Sequence, residues 1–142
     1  IRLEEVTVTN TSEVYEAASV LAAKGVQAFW ITGDNTALQA FDSIVKITGE
    51  RKLPLVINDP EFLERGALAV VGIGFYHSGK AAGQMAARVL LGEHTKNIAI
   101  ENVVVKEIAI NRKIANQIGL VIPSSVERMT ALPAHEPVSS KN

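Results

Sequence analysis

The chain contains no cysteine, which excludes disulfides, thiolate metal sites and a cysteine nucleophile. Aromatic residues are scarce at 5%, and no basic stripe interleaves with them. Lysine and arginine total 14 against 15 aspartate and glutamate, a net charge of −1, so the electrostatic footprint of a nucleic-acid binder is missing. Long hydrophobic runs are missing too: stretches such as Ala67 to Val71 fall far short of the roughly 20 apolar residues that a spanning helix needs. No signal-peptide pattern opens the chain, and its strand-like first residues suggest a mature product or an excised piece of something longer. What is present is 142 residues, 47% hydrophobic, with a positive mean hydropathy. That is about one domain, able to bury a single core.

Three times an apolar, β-branched run stops in a short polar cluster where a helix-like segment begins: Val6 to Ser12, Ala28 to Thr36 and Leu55 to Pro60. Strand and helix alternate through most of the length. This predicts an α/β fold, an open and mostly parallel sheet with helices on both faces. Strands are expected at 3–9, 26–31, 53–57, 67–72 and 103–110. Helices are expected from Thr11 or Ser12 to Lys24, from Asp34 or Asn35 to near Gly49, as a short turn over 60–65, over 75–91, and from the Asn111 cap to Gly119. Trp30 is expected in the core, with stacking on a ligand as the alternative. Residues 1–123 then form one α/β lobe, and 124–142, which carry no core pattern, a mobile tail.

In an open parallel sheet the three polar clusters line one rim, beyond the strand carboxyl ends and facing helix N-termini, where α/β proteins hold small polar ligands. Asp34 offers a carboxylate to an ammonium or hydroxyl, and Asn35 an amide that both donates and accepts. Asn58 and Asp59 repeat the pattern at the next strand end. Each of these residues, and Asn10, Thr11 and Ser12, also fits a helix cap or Asx turn, although a cap needs one such residue and not two. Other motifs fall away. Gly72-Ile73-Gly74 with Gly79 lacks dinucleotide-binding spacing. His77, His94 and His135 pair with no other ligand type, so neither metal nor cofactor is expected. No serine stands in a Gly-x-Ser-x-Gly elbow. A receiver-type phosphoacceptor reading of Asp59 fails because Asn10 and Thr11 stand where an acidic pair belongs. An enzyme using Asp34 and Asp59 as acid and base is left without a nucleophile, metal or cofactor, so no catalysis is expected.

Val6-Thr7-Val8-Thr9-Asn10-Thr11-Ser12-Glu13-Val14, Asp34-Asn35-Thr36, Glu64-Arg65-Gly66-Ala67-Leu68-Ala69, Tyr76 with Gly79 and Met85-Ala86-Ala87, and Gly119-Leu120-Val121-Ile122-Pro123 occur in that order. Together they resemble the second half of an ABC-transporter substrate-binding protein with a type I periplasmic-binding-protein fold, closest to the uncharacterised and aromatic-amino-acid-type branch. The resemblance implies a Rossmann-like lobe that captures a small polar solute, an amino acid among the candidates, between two closing lobes. Delivery to ABC permease subunits follows, outside the cytoplasm, in the periplasm or lipid-anchored at the cell surface. It further implies that Thr32, Asp34, Asn35, Asn58 and Asp59 hold the ligand. Gly33 stands where the family often carries a hydroxyl, and Gly74 where it tends to show Asp or Asn, so two contacts are expected to be lost here. The amino-terminal lobe is missing, and the segment around 75–110 is the one that crosses to it. The apolar face of helix 75–91 is then left wet, at about 25 cal/mol per Å², unless that lobe, a self-associated copy or a refolding onto its own sheet covers it. A ligand-sensing lobe of a regulator or receptor is the alternative, since those share the architecture.

Overall fold

Period-two alternation decides which side chains of each strand turn inward. In a computed structural model, which describes residues 1–100 and 106–130, the strands β1 (Phe29–Ile31), β2 (Leu55–Ile57), β3 (Ala69–Ile73) and β4 (Lys106–Ile110) form one sheet in the order β1-β2-β3-β4. The first three are parallel, with Phe29 opposite Leu55, Ile31 opposite Ile57 and Ile57 opposite Val70. β4 returns antiparallel and sets Ala109 opposite Val70 and Glu107 opposite Gly72. The sheet is therefore open and mostly parallel, as the alternation of elements implied.

One face of the sheet carries the core. Phe29, Ile31, Leu55, Ile57 and Val70 are buried there against Val14 and Ala18 of α1 (Val14–Ala23) and Phe41, Ile44 and Ile47 of α3 (Phe41–Arg51). The expected single helix after residue 34 is broken into α2 (Asn35–Gln39) and α3. Ala40 leaves the helical region at φ −103°, ψ 23°. The break sets Phe41 wholly inside, its ring edge-on to Phe62 at 4.7 Å between centroids.

The opposite face is largely open. Trp30, expected in the core, is 66% exposed, because Phe29 and Ile31 take the inward positions of so short a strand. Val71 and Ile73 share its face and are exposed as well. Among the described residues this face is covered at the β4 edge, where a helix α6 (Ser124–Thr130) packs near Ile108 and Ile110. Residues 124–130, within the expected tail, are helical and pack near β4, while 131–142 lie outside the described residues.

The segment 3–9 forms no strand. Ladder bonds and a buried face stabilise a strand, yet Leu3 and Val6 are exposed and only Val8 packs on the core. Thr9 N instead donates to Glu13 Oε2 at 2.8 Å, leading the chain into the 3₁₀ turn Thr11–Glu13 ahead of α1. At the other end, α4 (Phe75–Leu90) projects from the sheet with none of its 16 residues buried. Refolding of this helix onto its own sheet, one of the expected outcomes, does not occur. Lys106–Ile110 matches the later part of the expected strand 103–110, whose residues 103–105 lie outside the described ones. α5 (Arg112–Ile118) runs as read, capped by Asn111 Oδ1 on Ile114 N at 3.2 Å and ended by Gly119 at φ +75°.

Candidate ligand-binding rim

Parallel pairing of Ile31 with Ile57 brings the polar residues after β1 and β2 side by side. Gly33, at φ +85°, turns the chain out of β1. A Cβ on it would lie 3.0 Å from Asn58 Nδ2 and 3.3 Å from Asn58 Oδ1. On the other flank, a Cβ on Gly72 of β3 would fall 1.6 Å from the Asn58 carbonyl oxygen. Two glycines therefore hold Asn58 between the carboxyl ends of three strands. Its Oδ1 is buried and has no hydrogen-bond partner among the described residues. An unmade bond at a buried acceptor costs about 1–3 kcal/mol, so such a group calls for a donor from water or from a bound molecule.

Asp34 and Asp59 act as caps. Asp34 Oδ1 accepts from Ala37 N at 2.9 Å and starts α2, while Asp59 Oδ1 accepts from Glu61 N at 3.0 Å and starts the 3₁₀ turn Pro60–Phe62. Both caps use a single oxygen, and a carboxylate has capacity for further donors. Thr32, Asp34 and Asn35 are exposed, Asn58 and Asp59 half-buried. The polar groups after β1 and β2 thus share one open rim.

The third cluster does not end a strand, because none precedes it. Asn10 Oδ1 caps the turn through Ser12 N at 3.1 Å, and the Glu13 carboxylate accepts from Asn10 Nδ2 at 2.9 Å. The Thr9 backbone N–H, then the Thr9 hydroxyl, holds the Glu13 carboxyl below the usual carboxylate range. These groups are engaged with one another.

Two further groups escaped the reading of the sequence. Ser78 Oγ, in the first turn of α4, is buried without a partner among the described residues. Glu107 reaches from β4 over Gly74, the N-cap residue of α4: a Cβ on Gly74 would lie 2.1 Å from Glu107 Oε1. No local pattern betrays that contact, which depends on the β3–β4 register. Among the described residues no group of three or more His, Cys, Asp or Glu side chains is arranged to hold a metal ion, and no helix is long and apolar enough to cross a membrane.

The model of the family described as ABC transporter substrate binding protein matches residues 1–132. A tyrosine-binding protein of Clostridioides difficile is 30% identical over 104 residues, which are 73% of this chain and 30% of that protein. Among solved structures, an ABC domain from Streptococcus pneumoniae in complex with L-Trp superposes with a TM-score of 0.72 at 31% identity, over 88% of this chain and 42% of the other. A conserved domain protein from Vibrio cholerae gives 0.74 at 25% identity over 92% of this chain, and a ligand-free, open substrate binding protein with adhesive properties from Clostridium difficile gives 0.69 at 28% over 85%. The chain spans less than half the length of these structures, 41–44%.

Proposed function

The chain belongs to the ABC transporter substrate-binding protein family, and on that premise we propose that it is one lobe of a two-lobed protein that captures an amino acid and passes it to ABC permease subunits outside the cytoplasm. The role is recognition without catalysis. The observation that carries this reading is Asn58 Oδ1, a buried acceptor with no partner among the described residues, at the junction of three strand ends. An amino acid's ammonium supplies the donor that such an acceptor lacks. The uncommitted acceptor capacity of Asp34 and Asp59, the exposed amide of Asn35 and the hydroxyl of Thr32 stand beside it and complete a polar grip suited to a zwitterion. Relatives named for tyrosine binding or solved with L-Trp favour the amino-acid class. The unburied helix α4 and the open sheet face around Trp30 are the surfaces left for the amino-terminal lobe.

Thermal-shift and calorimetric titration of the protein bearing both lobes against the set of amino acids, L-tyrosine and L-tryptophan included, tests this. Saturable stabilisation by at least one amino acid is expected, weakened in Asn58→Ala. A protein that no amino acid stabilises refutes the reading.

A further inference from the structure

We infer that Glu107 is a specificity-determining acid of this rim, delivered from β4 into the space left by Gly74, and that it restricts the site to solutes carrying a cationic nitrogen. The inference rests on the binding role proposed above and adds to it a residue and a charge requirement.

The placement follows from the register. Antiparallel pairing sets Glu107 opposite Gly72, the residue that touches the Asn58 carbonyl from the β3 side. Two residues further along the chain, Gly74 is buried at φ −69°, ψ 97°, a conformation open to any L residue. Its backbone therefore has no need of glycine. A Cβ at that position would lie 2.1 and 2.8 Å from Glu107 Oε1 and Cδ, the movable end of a flexible side chain that now fills this space. The carboxylate occupies the place of a side chain at residue 74, at the same strand ends as Asn58.

Glu107 is half-buried as a residue, and among the described residues no cation or hydrogen-bond donor pairs with its carboxylate. Glu4, Glu13 and Glu93 all have such partners. A second acceptor, Asn58 Oδ1 at the ends of β1 to β3, has no donor among the described residues. Two such acceptors at one rim suit an ammonium and oppose a carboxylate or phosphate. A simpler role is a cap in trans, since α4 has neither a side-chain cap nor an acidic residue in its first turn. That role accounts for the charge and leaves Asn58 unexplained.

The test uses the protein with both lobes, titrated calorimetrically with the amino acids and with indolepropionate, which is L-tryptophan without its ammonium. Glu107→Gln keeps an acceptor and removes the charge. It is expected to weaken the amino acid that the unaltered protein binds by about tenfold or more, to strengthen rather than weaken the poor binding of indolepropionate, and not to lower the unfolding temperature of the ligand-free protein. Gly74→Asp added to Glu107→Ala returns a carboxylate to the same place and is expected to restore most of the affinity. Unchanged amino-acid affinity in Glu107→Gln overturns the inference and leaves the binding role standing. A loss that follows a lowered unfolding temperature and is not restored by Gly74→Asp assigns Glu107 to capping and overturns it as well. If the unaltered protein binds no amino acid, the binding role and the inference fall together.

Discussion

Gly33 and Asn58 meet across the ends of β1 and β2, and the missing Cβ of one makes room for the amide of the other. Gly33→Ala carries two separable penalties. A non-glycine residue at φ +85° costs about 1–2 kcal/mol, and the new methyl presses on Asn58 Nδ2. Gly25, at φ +75° with nothing within 4 Å of a Cβ, is the control that carries the first penalty alone. Urea denaturation is expected to show Gly33→Ala destabilised at least as much as Gly25→Ala. Amino-acid affinity of the two-lobed protein is expected to fall only in Gly33→Ala.

Asp34 caps α2 and stands on the rim, and substitutions separate the two roles. Asp34→Ala loses about 1 kcal/mol of stability with the cap, whereas Asp34→Ser retains a capping oxygen and removes the carboxylate. The expected result is near-native stability with reduced amino-acid affinity in Asp34→Ser. Native affinity in that variant assigns Asp34 to capping alone.

The elements that were legible in the sequence are those whose signals are local. Asn111 at the start of α5 and Gly119 at its end act within a few residues of themselves, and both behave as read. The caps at Asp34 and Asp59 are local in the same sense. The orientation of Trp30 was not legible, because Phe29-Trp30-Ile31 is apolar throughout and a continuous run does not reveal which parity turns inward. Nor was the antiparallel return of β4, since periodicity carries no strand direction. Residues 3–9 have the alternation of a strand, yet Val8 alone packs on the core. Glu107 was invisible for a related reason: its place over Gly74 follows from a pairing across more than 30 residues of chain.

Phe41 and Trp30 show how burial, rather than size, sets the cost of losing an aromatic ring. Phe41 is fully buried and packs edge-on against Phe62, so Phe41→Ala is expected to cost about 3–5 kcal/mol. Trp30→Ala in the same 142-residue chain is expected to stay within about 0.5 kcal/mol, as for exposed positions generally. Chemical denaturation of the two variants measures the contrast.

Acid sensitivity of the amino-terminal turn follows from Glu13. Its folded pKa lies below the unfolded value, chiefly through the Thr9 backbone N–H and then the Thr9 hydroxyl. Its contribution is therefore complete above the unfolded pKa, about 4.3, and is lost as pH falls through the lowered folded value. Titration of the Glu13 carboxyl by NMR is expected to give a midpoint below that of an unstructured peptide. Thr9→Pro, which deletes the N–H, should move it back up; an unmoved midpoint contradicts the assignment.

Helix α4 sets the behaviour of this chain when it is produced alone. Leu90 and Leu91 are 86% and 89% exposed, and Phe75, Tyr76 and Val89 are exposed with them. Apolar surface left in water at about 25 cal/mol per Å² favours any contact that covers it. The 142-residue chain is accordingly expected to self-associate with increasing concentration in sedimentation velocity. Leu90→Glu combined with Leu91→Glu is expected to shift it towards monomer with no loss of the sheet core, because neither residue touches it. In the proposed two-lobed protein, if its amino-terminal lobe takes this face, the same pair of substitutions should lower stability instead. A chain that stays monomeric at high concentration with α4 exposed contradicts the self-association, and unchanged stability of the two-lobed variant contradicts the packing of the missing lobe on this helix.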